Sequence, residues 1–329
     1  MRSLSGASLA ALSALSVVAM SALGSTACGK VGELQAMKSF KAANQAYQQQ
    51  DYKKAAELYE AAIKASPDTQ AGRESYFFLA NSYDNLYKPS RKGEADNDAL
   101  LTKAVENYTA AAEKLAGSDN QQDKLLGRRS LEYLVNAYGP DKLNDPGKAE
   151  PVLQKMIQAD PTDTANYFAL AKLYEDAGAY EAAENMLVKA KEAKPSDAAV
   201  YMQLAGYYNR QGQFDKTIDS LEQRASKEPN NPEAYYTIST FYWDKAFRDP
   251  RLKEGEKKDF VQKGIQAVDH ALQIKADYAE ALVYKGLLLR LEATWEKDRD
   301  KQQALLKQAD QLRDKANDLR KRSASGVSN

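Results

Sequence analysis

Three prolines, Pro161, Pro195 and Pro229, recur at a step of 34 residues, and other columns keep the same step. Tyr167, Tyr201 and Tyr235 form one; Leu170, Leu204 and Ile238 another; Ala171, Ala205 and Ser239 a third; Tyr174, Tyr208 and Tyr242 a fourth. Gly178 and Gly212 add a shorter one. A fixed period of this length marks an array of helix–turn–helix units, each packing only on its neighbours. The expected fold is therefore all-α, with one continuous core that grows by repetition. Such arrays present long surfaces and seldom build a reaction pocket, so the pattern points to binding rather than catalysis.

Composition narrows the function further. The chain has 46 basic and 46 acidic residues, which argues against a nucleic-acid partner, since that would call for a basic excess to neutralise phosphates. Glycine and proline are sparse, and alanine, tyrosine, lysine, glutamate, glutamine and leucine dominate, which is helical usage. After the N-terminus no long uncharged apolar run stands ready to span a membrane.

The best unit runs Tyr167, Leu170, Ala171 and Tyr174 on a first helix, Gly178 at the turn, then Tyr180, Ala183, Leu187 and Ala190 on a second helix, with Pro195 stopping it. The next has Tyr201, Leu204, Ala205, Tyr208, Gly212, Phe214 and Leu221, but sets Thr217 and Arg224 where alanines are expected. Its second helix should sit farther out, or Arg224 should extend its stem to solvent. These units resemble the tetratricopeptide repeat (TPR). The resemblance covers roughly residues 36 to 320 and implies a TPR solenoid of about seven repeats with a helical C-terminal cap. It also implies a protein-binding scaffold with no catalytic residues, metal or cofactor.

Three stretches, 84–103, 243–263 and 290–308, lengthen their repeats. Each joins a first helix to a second, so they should project from one edge; longer helices with a displaced turn fit equally. In the last helix Leu305, Leu312 and Leu319 stand seven apart. This reads as a solvating cap or as a coiled-coil seam for self-association.

The N-terminus has a different character. Arg2 precedes an apolar stretch from Leu9 to Leu23, then Gly24-Ser25-Thr26-Ala27-Cys28. A basic start, a short apolar run and small residues describe a secretory signal cleaved before Cys28. Cys28 is the chain's single cysteine, so no internal disulfide can form. The segment resembles a bacterial lipobox, although Ser25 stands where leucine is usual. That resemblance implies a diacylglycerol on Cys28 and membrane anchoring; Gly29 in place of aspartate favours the outer membrane, with the repeats on the periplasmic face. The alternative is a non-lipidated secreted or periplasmic scaffold. The expected organisation is a signal peptide 1–27, a lipid-anchored tether 28–35, the TPR array 36–322 and a disordered tail 323–329.

Chemistry-bearing residues are few. His270 is the single histidine, too little for a nucleophilic triad or a nitrogen–sulfur zinc site. Glu94, Asp96 and Asp98 alternate but lack the glycine and distal glutamate of a calcium loop. The rival from another class is a carboxylate-based glycan-acting enzyme using acids such as Glu175 and Asp176.

In TPR grooves certain first-helix positions face the ligand. By that resemblance Phe40, Phe77, Phe168, Met202 and Tyr236 form one groove column. Asn44, Asn81, Asn136 and Lys172 form the next. Amides could bracket a peptide backbone with a donor and an acceptor each, beside apolar pockets; the same residues could also merely pad neighbouring helices. The lysine-rich carboxylate clamp of some TPRs is not matched, because aromatics hold its first key column. The expected partners are other proteins or peptides, envelope proteins among them.

Overall fold

The computed structural model describes the backbone of residues 14–325 and the side chains of residues 29–325. Among these residues there are fourteen α-helices, one short 3-10 turn and no strand, so the expected seven helix pairs are present. They fall into two compact units, Met1–Asp160 and Pro161–Asn329.

The first unit holds α1 (Ala14–Gln48), α2 (Tyr52–Ala65), α3 (Gln70–Leu86), the 3-10 turn Pro89–Arg91, α4 (Ala95–Ala116), α5 (Gln121–Ala137) and α6 (Pro146–Ala159). Short polar side chains start its helices: Asp51, Thr69, Asn120 and Asp145 each accept from a backbone N–H of the first turn, satisfying donors that have no partner inside the helix. Alanines sit at the crossings. Ala36, Ala43, Ala55, Ala62, Ala104 and Ala111 are wholly buried, which lets backbones approach closely enough for Tyr59, Phe77 and Tyr108 to fill the remaining core. At Gly72 the approach is closest: a Cβ there would lie 1.9 Å from the Ser66 carbonyl oxygen.

The second unit holds α7 (Thr164–Asp176), α8 (Tyr180–Ala193), α9 (Ala198–Arg210), α10 (Phe214–Lys227), α11 (Pro232–Arg248), α12 (Glu254–Ile274), α13 (Ala279–Ala293) and α14 (Arg299–Ala324). Here the columns acquire physical meaning. The hydroxyl of Tyr167 donates to the Pro161 carbonyl at 3.1 Å, and that of Tyr201 to the Pro195 carbonyl at 2.7 Å. The tyrosine thus ties its helix to the turn that leads into it. Asp163, Asp197 and Asn231, also 34 apart, cap α7, α9 and α11. Gly178 and Gly212 have φ of 75° and 70°, the left-handed conformation that glycine adopts at little cost at a helix C-terminus.

The lengthened repeats do not project as loops. α4, α12 and α14 run to 22, 21 and 26 residues, against 14 for α2, α8 and α10, and the turns shrink to residues 87–94, 249–253 and 294–298. The displaced-turn reading holds because the added turns bury apolar surface: Tyr87, Leu101 and Ala137 form a small core of their own, and Ala246 and Val261 are almost wholly enclosed.

Arg224 corrects the expectation that its stem reaches solvent. It is 8% exposed, and its guanidinium contacts Glu228 at 3.0 Å and Glu233 at 3.5 Å. Thr217 is wholly buried and donates to the Gln213 carbonyl. Both keep the helix in place because each polar group finds a partner.

The self-association seam is corrected too. Leu305, Leu312 and Leu319 are half-buried, and Ala309 and Ala316, between them, are enclosed. The stripe faces α13: a Cβ on Gly286 would meet the Ala309 carbonyl at 3.2 Å, Arg290 pairs with Asp310, and Gln302 donates to the Ala293 carbonyl. The leucines close the last helix pair and leave the polar side outward, as a cap requires. Residues 323 and 324 belong to α14; residues 326–329 lie outside the described residues.

Of the N-terminal segment, residues 1–13 and the side chains of residues 14–28, Cys28 included, lie outside the described residues. Residues 29–35, expected as a tether, continue α1. Among the described residues no helix is long and apolar enough to cross a membrane.

Candidate interaction surface

In the first unit the proposed groove residues divide. Phe40 is half-buried, its ring 5.9 Å from Tyr59 and 6.1 Å from Phe78. Phe77 is 5% exposed and packs edge-on against Phe78 and Tyr133. Asn44 accepts from the Tyr59 hydroxyl at 2.7 Å. Asn81 overturns the picture of a free groove amide: it is 5% exposed, accepts from the Tyr47 hydroxyl and from Asn85 Nδ2 at 2.9 Å, and donates to Tyr108 Oη at 3.1 Å. Its donors and acceptors serve a buried tyrosine network. Asn136 is exposed on α5, apart from that network.

Beside Phe40 a cleft of about 260 Å³ opens between α1 and α3, with Glu33, Met37, Gln70 and Glu74 on its walls. Burial raises the Glu74 carboxyl above the usual carboxylate range, partly offset by the Gln70 amide, which donates to it at 2.8 Å. Val31, Leu34 and Met37 stand exposed on α1.

In the second unit Phe168 is half-buried and Lys172 is exposed in an ion pair with Asp176. Met202 is 36% exposed, its sulfur 3.0 Å from the Arg224 guanidinium. Tyr236 is half-buried and is the hub of something the repeat columns did not reveal. Its ring lies 5.2 Å from Tyr278 and 5.3 Å from Tyr284. Tyr284 lies 5.8 Å from Trp243, which stacks on Phe247 at 5.0 Å. Phe247 is 59% exposed. Tyr236, Trp243 and Phe247 fall at i, i+7 and i+11 on α11, one stripe at helical spacing. That spacing was readable; the columns drew attention to positions shared between repeats, whereas Trp243 and Phe247 have no counterparts.

The candidate catalytic acids are tied up. Both oxygens of Glu175 accept from Arg210, at 2.8 and 2.9 Å, and this pairing holds its carboxyl below the usual range. A glycosidic general acid needs the opposite shift. Asp176 is paired with Lys172. His270, exposed, stacks on Tyr235 at 3.9 Å. Glu94 is bound by Arg91, and Asp98 accepts from the Gly93 N–H; no cluster of His, Cys, Asp and Glu among the described residues is arranged to hold a metal.

Comparison with known proteins agrees with the geometry. Residues 142–205 match the tetratricopeptide-repeat family profile. Among solved structures, the C-terminal part of a TPR repeat-containing protein from Cytophaga hutchinsonii is similar at 19% identity and TM-score 0.51, covering 85% of this chain and 98% of that one. A tetratricopeptide repeat protein from Parabacteroides merdae matches at 14% identity and TM-score 0.42, covering 84% of this chain and 99% of that one. MamA from Desulfovibrio magneticus matches at 14% identity and TM-score 0.39, with 59% and 95% covered. No curated protein matches the sequence. The chain has an all-α TPR solenoid fold, with a tetratricopeptide-repeat match over residues 142–205. This is a fold on which protein–protein interaction scaffolds are built.

Proposed function

We propose that this chain is a periplasm-facing TPR lipoprotein, anchored through Cys28 in the outer membrane, that holds partner proteins for a bacterial envelope process such as assembly, secretion or cell-wall work. The observation that carries the scaffold reading is the surface of the first helices in the second unit, where Met202 and Tyr236 keep apolar and aromatic area accessible. The anchoring reading rests on the apolar run ending in small residues at the only cysteine.

Two measurements test it. A photo-crosslinking residue at Met202 or Tyr236 is expected to capture a discrete envelope protein in intact cells, and one at Lys189, exposed on a second helix, is not. Equal capture from all three positions would remove the first-helix surface from the proposal. Cys28→Ser is expected to move the protein from membranes to the soluble fraction with its helical spectrum unchanged. A membrane-extracted protein whose intact mass equals the unmodified chain from Cys28 would end the lipid claim.

A further inference from the structure

The first and last helices differ in what they leave uncovered. The outward side of α14 is polar, as a terminal helix requires, and its one large exposed apolar side chain is Leu306 at 37%. On α1, Val31, Leu34 and Met37 are 55 to 70% exposed, and Lys30, Lys38 and Lys41 are exposed among them. At about 100° per residue the order Met37, Lys30, Lys41, Leu34, Lys38, Val31 spans about 120° of the helix. Ala36 and Ala43, wholly buried, mark the opposite side. None of the three lysines has an ion pair or hydrogen bond among the described residues. The face itself holds no carboxylate. Glu33 lies at its edge, on the wall of the α1–α3 cleft with Glu74. The last turn of α2, which carries exposed Lys64, comes against the same end of α1: a Cβ on Gly32 would lie 2.8 Å from the Ala65 carbonyl oxygen. Asp68, just beyond, is held by Lys114 at 3.0 Å.

Building on the anchoring reading above, we infer that this face of α1 lies on an anionic lipid surface. The face begins two residues after Cys28, and Lys41 stands about 20 Å along the helix from it. An acyl group on Cys28 would therefore hold one end of the face at the bilayer. Lysines interleaved with aliphatic side chains suit a helix lying in the headgroup region. The apolar groups enter the acyl boundary, and the lysine stems follow them and leave their ammonium groups among lipid phosphates. A second copy fits poorly. Pairing the face with itself sets lysine against lysine, and α14, the head-to-tail alternative, carries a basic excess that ends in Arg320, Lys321 and Arg322. An acidic protein surface answers the lysines but not the aliphatic side chains between them; a bilayer with anionic headgroups answers both. A lipid on Cys28 alone leaves the protein free to swivel, whereas this second contact fixes how α1 lies on the membrane.

The test uses the chain from residue 28 with Cys28→Ser, which carries no acyl group and no thiol. Its cosedimentation with phosphatidylcholine vesicles containing phosphatidylglycerol is expected to saturate and to weaken in high salt. With phosphatidylcholine alone it should be absent. The triple variant Lys30→Gln, Lys38→Gln, Lys41→Gln should bind about a hundredfold more weakly, from the usual gain per lysine near an anionic surface. Leu34→Cys, labelled with a polarity-sensitive dye, should shift to the blue on the anionic vesicles, and the same dye at Lys189→Cys should not. All these sites are exposed, so the helical spectrum should be unchanged. No binding, equal binding to neutral vesicles, or an unshifted dye at Leu34→Cys overturns the inference. So does a shift that follows protein concentration without vesicles, which would give the face to a second copy. The two readings separate as follows. If the native protein carries the acyl mass while the Cys28→Ser chain ignores the vesicles, the anchor stands and the face falls. If the native protein is unmodified while the Cys28→Ser chain binds them, the anchor falls and the face stands.

Discussion

Asn81 shows how a residue type common on a ligand-facing position can be absorbed by the core. Its amide joins Tyr47, Tyr108 and Asn85, so Asn81→Ala leaves buried hydroxyls without partners. A loss of roughly 1–3 kcal/mol is expected from such orphaned groups, whereas Asn136→Ala, on an exposed site, should change stability by less than about 0.5 kcal/mol. Urea melts compare them directly, and equal small effects would deny the network. The spacing of these asparagines was legible in the sequence. Their different roles were not, because the partners come from helices 15 to 34 residues away. The same holds for Arg224: a cation at an alanine position reads as a disturbance until Glu228 and Glu233 are seen to enclose it.

At the scale of the element, α14 carries the clearest consequence. Its leucine stripe serves α13, so Leu312→Ala should cost about 1–2 kcal/mol by removing half-buried apolar volume. Amide exchange should quicken along α13 and α14 while the sedimentation coefficient stays as in the wild type. A change in sedimentation with exchange unaltered would restore the intermolecular seam. Periodicity alone cannot separate these readings, because a stripe of this kind packs as well on a neighbour in the same chain as on another copy. The lengthened repeats teach the same point. Turn residues such as Pro89 and Pro250 mark where the chain reverses, but whether the flanking residues continue a helix depends on what their apolar faces meet.

Across the whole molecule tyrosine sets the response to pH. Burial, the largest cause, pushes the phenols of Tyr59, Tyr83, Tyr108 and Tyr208 well above the ordinary value, and the carboxylates of Glu60 and Glu184 reinforce it at Tyr83 and Tyr208. Tyr236 is pushed up to about 12. A group whose folded pKa is raised contributes stability that is fully present below the unfolded value, near 10, and is lost as pH climbs through the folded one. The urea midpoint should therefore hold steady to about pH 9 and fall from about pH 10 upward, with the last part of the phenolate absorbance, that of the buried tyrosines, rising only as helicity is lost. A midpoint unchanged at pH 11 would contradict this burial. What the sequence determined by itself was the period, hence the helix pairs, their capping columns and glycine turns, because those are local and repeat with the chain. What only the tertiary structure decided was which side chains of each helix remained available. Phe247 stays exposed because the rings before it, Tyr236, Tyr284 and Trp243, pack on one another between α11 and α13. Asn81 is spent because two other helices, with Asn85 of its own, supply what it needs, and no spacing along one chain encodes that difference.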